Sequence, residues 1–265
     1  MERTFLLMGD HHIGSSVSIC PPVVDLDDGG TYHASRGQRW LWDCWQDVID
    51  RAGKVRPVLI LNGDLAEGDA KARSTQVVTR NKTTVLRMAA DVFDPLAKTC
   101  AGVYATRGTP AHVGKSSNLD EAIAEDLDAA QTPEKTYSWW ELPLQYGRFR
   151  MAVAHHVTAG GMPWTRKSAA QKLAARIVFN AAERGEVAPD LVVRGHVHQW
   201  FDSYDAHRTR VVILPAWTLA TEYIHRIEPG ALAEIGAALV RTDGKTFEVE
   251  KWDYKPRGRQ WHVLR

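Results

Sequence analysis

Short apolar runs recur along the chain at 4–8, 57–61, 103–106, 149–154, 191–193 and 211–214, and Phe247 and Val249 alternate with polar neighbours. Their length and their valine and isoleucine content predict buried β-strands. Between them the spacing turns helical. Leu41, Trp45, Val48 and Ile49 share one face, and Ala170, Ala174, Ile177 and Ala181 share another. Ser117 with Asp120 reads as a helix start, followed by a stripe of Leu119, Ile123, Leu127 and Ala130. The segment 83–98 also has helical spacing, but Pro95 is expected to kink it or end it after Asp94. Strands alternate with helices in the first half and dominate the second, which predicts a layered α/β core. The polar stretch 15–35, with Pro21-Pro22 and a run of Asp and Gly, reads either as a mobile flap or as an ordered insertion near a site.

Composition narrows the picture in three ways. A chain of 265 residues fits a single domain, residues 1–265, with the 15–35 stretch as a flap insertion. Thirty-three Lys and Arg face 32 Asp and Glu, a formal charge of +1, so no broad basic field invites duplex nucleic acid or a membrane, and any attraction to phosphate must be local. Three scattered cysteines suit neither a disulfide framework nor a thiolate zinc site, and no signal-peptide core or spanning apolar stretch is present. A soluble, cytoplasmic protein is expected. Ten tryptophans are read as core and half-buried surface residues.

The chemistry lies where the strands end. The first run releases Asp10, His11 and His12, the second Asn62 and Asp64, the third the stretch Thr106 to Gly114 with Thr109 and His112. The fourth ends in His155 and His156, and the fifth in His196 and His198. In layered α/β proteins the loops at the carboxyl ends of strands gather in one crevice, so these side chains are expected to converge. Carboxylates and imidazoles without thiolates suit manganese, iron, zinc, nickel or cobalt in a site of catalytic type. Asp10 and His12 lie two apart, as do His196 and His198, so an extended backbone would present each pair on one side and turn His11 away. A carboxylate such as Asp64 can span two cations.

The order D-x-H, G-D, an element at 108–112, a lone His and G-H-x-H resembles the calcineurin-like metallophosphoesterases from Asp10 to His198. That resemblance implies an α/β fold of two β-sheets packed as a sandwich and flanked by helices, in four layers, with two divalent metal ions, Mn2+ first among them. It implies Asp10, His12 and His198 on one metal, His155 and His196 on the other, and Asp64 bridging. His156 is an alternative to His155 as ligand, and otherwise a substrate contact. The family has G-N-H-D or G-N-H-E at the third element, whereas this chain has Gly108-Thr109-Pro110-Ala111-His112. In one reading Thr109 supplies a hydroxyl to the second metal and His112 is the acid; in the other His112 is itself a ligand. The variant resembles bacteriophage-type members, which would place the protein in a host cytoplasm.

The implied reaction is metal-dependent hydrolysis of a phosphoester, with a diester in a nucleic acid, a cyclic nucleotide or another nucleotide as first choice. Phosphomonoesters and protein phosphates stay open, and so does a scaffold or binding module on the same fold. Asp64 and His112 carry the catalytic roles. His156, Arg107, Arg194 and Trp164, the last within the Gly- and cation-containing stretch 160–167, are candidate substrate contacts. The expected partners are a phosphoester substrate, single-stranded nucleic acid or nucleotide included, and no membrane.

Overall fold

The computed structural model describes residues 2–68, 75–114, 118–157, 168–228, 230–258 and 261. Trp164, Ser117 and the stretch 160–167 lie outside them.

Two sheets carry the chain. The larger runs β13 (Phe247–Tyr254), β12 (Ile235–Thr242), β1 (Arg3–Met8), β4 (Val58–Asn62), β5 (Gly102–Thr106) and β6 (Ser138–Trp139). Within it β1, β4, β5 and β6 are parallel, while β12 and β13 are antiparallel additions on the β1 side. The smaller runs β10 (Phe201–Asp202), β11 (Arg210–Ile213), β9 (Leu191–Arg194), β8 (Phe149–Val153) and β7 (Leu142–Tyr146), with β8, β9 and β11 parallel.

Side-chain alternation sets the layers. Phe5, Leu7, Val58 and Ile60 point into the sandwich against Phe149, Met151, Val153, Leu191 and Val193. Leu6, Met8, Leu59 and Leu61 point the other way, onto α1 (Arg36–Val55), α2 (Lys82–Ala97) and α4 (Asn118–Asp126). On the far face Val192, Val211 and Ile213 pack against Ala170, Leu173 and Ala174 of α5 (Ala169–Glu183). The order helix, sheet, sheet, helix is the four-layer α/β sandwich expected. Both faces of the central parallel strands are buried, which is why they read as apolar runs rather than as alternation.

Local chemistry sets the helix ends. Ser35 and Gln38 form a reciprocal capping box at the start of α1, and the chain leaves α1 through Arg56 at φ 47°. Helix α2 passes through Pro95 to Ala97, correcting the expected stop at Asp94. Pro95 is exposed in the last turn, and the carbonyl deprived of its donor belongs to Asp91, also exposed, so water can take that bond. Helix α4 ends at Asp126, so Ala130 falls outside the helical stripe; its N–H instead donates to Val103 O at 2.8 Å. A short helix, α3 (Pro110–Val113), opens at Thr109, and α6 (Glu222–Ile227) follows β11.

The stretch 15–35 carries a hairpin of β2 (Val23–Asp25) and β3 (Thr31–His33). It is tied down by buried Ile19 and Cys20, by Ile19 N–H to Trp217 O at 3.0 Å and by Ser18 Oγ to Thr218 Oγ1 at 2.7 Å. Trp45 stands at the junction of α1, α2 and the strand ends, fully buried, donating to Val92 O at 2.9 Å and meeting His11, Phe93 and Trp217 edge-on. Trp45→Ala is expected to lower unfolding free energy by about 3–5 kcal/mol; a urea midpoint close to that of the parent would contradict this packing.

Candidate metal centre

The strand ends converge as the layered topology requires. Strands β1, β4, β5, β8 and β9 all finish at one end of the sandwich and deliver Asp10 and His12, Asp64, Thr109 and His112, His155 and His156, and His196 and His198. Asp10, Asp64, His12 and His155 are buried there, and His112, His196 and His198 are partly open.

The backbone that achieves this is not extended. Asp10, His12, Asp64, His196 and His198 have φ of 54°, 46°, 50°, 75° and 55°, all in the left-handed region. The i and i+2 pairs therefore face one way through alternating left-handed residues, not through a pleated strand as expected. Such conformations cost on the order of 1 kcal/mol or more each and persist only where the surroundings enforce them. His11 does turn away, into a dry pocket against Trp45 and Phe93, and burial drives its pKa down to about 3. Glycines allow the turns to touch: a Cβ on Gly108 would lie 2.2 Å from Asp64 N, and one on Gly195 would lie 2.8 Å from Asp10 Oδ2.

Three groups of donors have the spacing of ligands around a cation: one at Asp10, one at Asp64, and a third made of His12, Glu67 and His112. Asp10 Oδ1 lies 3.1 Å from His198 Nε2 and 3.8 Å from His12 Nε2, and the two Nε2 atoms are 3.2 Å apart. Asp64 Oδ2 lies 3.1 Å from His155 Nε2, with His196 completing a set whose donor atoms are within 4.8 Å of one another. Donors held about 2.0–2.2 Å from a common ion stand roughly 3.0–3.6 Å apart. Asp10 Oδ1 and His155 Nε2 are buried without a hydrogen bond despite these close neighbours, as expected of lone pairs meant for an ion. The residues present therefore fit two divalent cations.

Neighbouring contacts orient these ligands. His155 Nδ1 donates to Asn62 O at 2.7 Å, which turns Nε2 toward Asp64, and Asn62 is itself fixed by Thr106 Oγ1 at 2.7 Å. Asp10 Oδ2 accepts from His196 N–H at 2.9 Å, leaving Oδ1 for the centre. Thr109 donates to Asp64 from its N–H at 2.5 Å and from its hydroxyl at 2.8 and 2.9 Å.

Two acidic residues escaped the sequence reading. Glu67 Oε2 takes His12 Nδ1 at 3.0 Å and His112 Nδ1 at 2.8 Å, so His112 is held beside His12, their ring centroids 4.3 Å apart. Helix α4 begins at Asn118, where the Ser117 and Asp120 spacing places its start, and Asp120 has a further part: wholly buried, it accepts from Leu65 N–H at 3.0 Å and Gly108 N–H at 2.7 Å, bracing the turn that carries Asp64 against the one that carries Thr109. Burial and the charge of Asp64 push its pKa up to about 7.

The candidate substrate contacts are dispersed. His156 is exposed beside His196, ring centroids 5.5 Å apart. Arg107 is bound to Ser138 and stacks over Trp140, and Arg194 is bound to the carbonyls of Ala152 and Val193 and to Glu141.

No protein-family model and no curated protein matches the chain. Solved structures that resemble it include a dimetal phosphatase from Danio rerio, with 11% identity over 94% of this chain and 95% of that one and a TM-score of 0.48. Vps29 complexed with zinc from Entamoeba histolytica has 11% identity over 94% and 98%, TM-score 0.45. Vps29 from Cryptosporidium parvum has 14% over 96% and 99%, TM-score 0.44. Among the described residues no helix is long and apolar enough to cross a membrane.

Electrostatics links ion and proton. Burial opposes charge on His12, but Asp10, Glu67 and Asp64 outweigh it and lift its pKa to about 10. His155 rises to about 9 against burial through Asp10 and Asp64. Without a cation both imidazoles hold protons at neutral pH, and these must leave when their nitrogens bind a metal. Loading with Mn2+ near pH 7.5 is expected to release about two protons per chain, and affinity is expected to strengthen as pH rises. Calorimetry in buffers of different ionisation enthalpy reads this number directly; a value of zero would contradict the arrangement.

Proposed function

We propose that this chain is a metal-dependent phosphoester hydrolase of the calcineurin-like metallophosphoesterase type, acting on phosphodiesters. The observation that carries the reading is the pair of donor sets, each with two buried ligands and one partly open histidine: Asp10, His12 and His198 beside Asp64, His155 and His196. Two divalent cations held there, Mn2+ first among them, would lower the pKa of a water and neutralise charge on phosphoryl oxygens.

The residues divide the remaining work. Asp64, which belongs to the second set, would be the bridging carboxylate; Thr109 keeps it oriented, and its hydroxyl oxygen would serve the second cation. His112 is the general acid. Its Nδ1 is engaged by Glu67 at 2.8 Å, which holds the ring in place to pass a proton to the departing oxygen. His155 is preferred to His156 as ligand because its Nε2 faces Asp64 at 3.1 Å, whereas His156 stands exposed at the mouth, suited to a substrate oxygen.

With Mn2+, turnover of an activated phosphodiester should exceed that of the matching monoester, and Asp64→Asn should lower it at least about 100-fold. Equal activity in that variant would overturn the two-cation reading. His112→Ala should lose about 100-fold or more with poor leaving groups and much less with good ones, metal content unchanged. Loss of one cation in His112→Ala would instead make His112 a ligand.

A further inference from the structure

We propose that Trp140, with Arg107, forms a stacking subsite for a base of single-stranded nucleic acid lying across the metal centre, and that Lys255 and Arg257 hold its phosphates on the opposite side. The inference rests on the hydrolase reading and names its substrate class.

Trp140 is 64% exposed, unusual for so large an apolar ring. The Arg107 guanidinium sits 4.8 Å from its ring centroid and is itself fixed by Ser138 O and Oγ, both at 3.1 Å. A tethered indole braced by a tethered cation is a preformed surface, and every base has a face to lay on it.

Connectivity puts this surface at the rim of the centre. Arg107 N–H donates to Trp139 O at 2.9 Å, and Thr109, which binds Asp64, is only two residues beyond Arg107, at most about 7 Å along the chain. On its other side Trp140 leads through Glu141 to Leu142, which pairs with Val153, two residues before His155. Trp140 thus bridges the two sheets between the strand ends that deliver Thr109 and His155.

The far edge supplies charge. Strand β13 ends at Tyr254, paired with Ile235 at the same end of the sheet as Met8. The Tyr254 ring lies 5.8 Å from that of Trp217, whose N–H donates to Asp10 O at 3.0 Å. The chain then continues into exposed Lys255 and Arg257. Around Trp140 Arg107 faces Glu121 at 3.8 Å and Arg194 faces Glu141 at 3.4 Å, so that edge acts by stacking; on the far edge Lys255 Nζ lies 3.9 Å from Asp253 Oδ2, an exposed pair that water screens and a phosphate can displace. Duplex is disfavoured because its bases cannot reach the indole.

Anisotropy of a labelled oligothymidylate, measured with Mn2+ on the full chain carrying Asp64→Asn to prevent cleavage, tests this. Adding Trp140→Ala should weaken binding about tenfold, with the salt dependence unchanged, and Trp140→Phe should recover most of the loss. Lys255→Ala with Arg257→Ala should instead lower the slope of log affinity against log salt by about 1.4. Tyr204→Ala, an exposed aromatic at the other end of the sandwich, should change nothing. Failure to bind the single strand, preference for duplex, or unaltered affinity in Trp140→Ala would overturn the subsite. Turnover of a small activated diester by the unmodified chain judges the hydrolase reading separately: if it persists while oligothymidylate does not bind, only the subsite falls.

Discussion

Asp10 and Asp64 are held out of water within a few ångström of several imidazoles, and the rest of the structure is arranged around keeping that charge where it is. Buried carboxylates of like sign repel and resist desolvation. In the protein alone, His155, His198 and His12 hold Asp10, and His155 and His12 hold Asp64, well below the usual carboxylate range despite burial. Two divalent cations held there would do the same task at the positions the imidazole protons vacate. The strained turns, the glycines without room for a Cβ and the braces from Asn62, Glu67 and Asp120 serve this one requirement.

The layers explain why the strain is tolerated. Each turn is the continuation of a parallel strand, so the backbone entering it is already fixed by the sandwich core on one side and, on the other, by α1, α2 and α4 for β1, β4 and β5 and by α5 for β8 and β9. Asp120 then joins two of the turns through a single carboxylate.

Much of this was legible in the residues. Parallel strands read as apolar runs, and the polar residues that end them stand out by contrast, so Asp10, His11, His12, Asn62, Asp64, His155, His156, His196 and His198 are marked by position, and the family resemblance selects the ligand set among them. The layered fold followed from the same runs. What stayed hidden depends on partners distant in the chain. Asp120 has the spacing of a helix cap, and only the fold reveals Leu65 and Gly108 above it. Glu67 looks like an ordinary loop acid, its one signal being the offset of three residues from Asp64. Strand β7 was missed because it is a half-exposed edge with Pro143 in it, and β12 because Gly236 and two alanines dilute its apolar run. Left-handed backbone at Asp and His has no marker in composition, so the pairing of Asp10 with His12 was foreseen with the wrong geometry.

The central claim is that two cations sit side by side at the strand ends. Anomalous diffraction from crystals grown with Mn2+ tests it most directly. Two peaks roughly 3.5–4 Å apart, one within reach of Asp10, His12 and His198 and the other of Asp64, His155 and His196, are the expected result. No peak there, or a single one held between Glu67 and His112, would contradict the account.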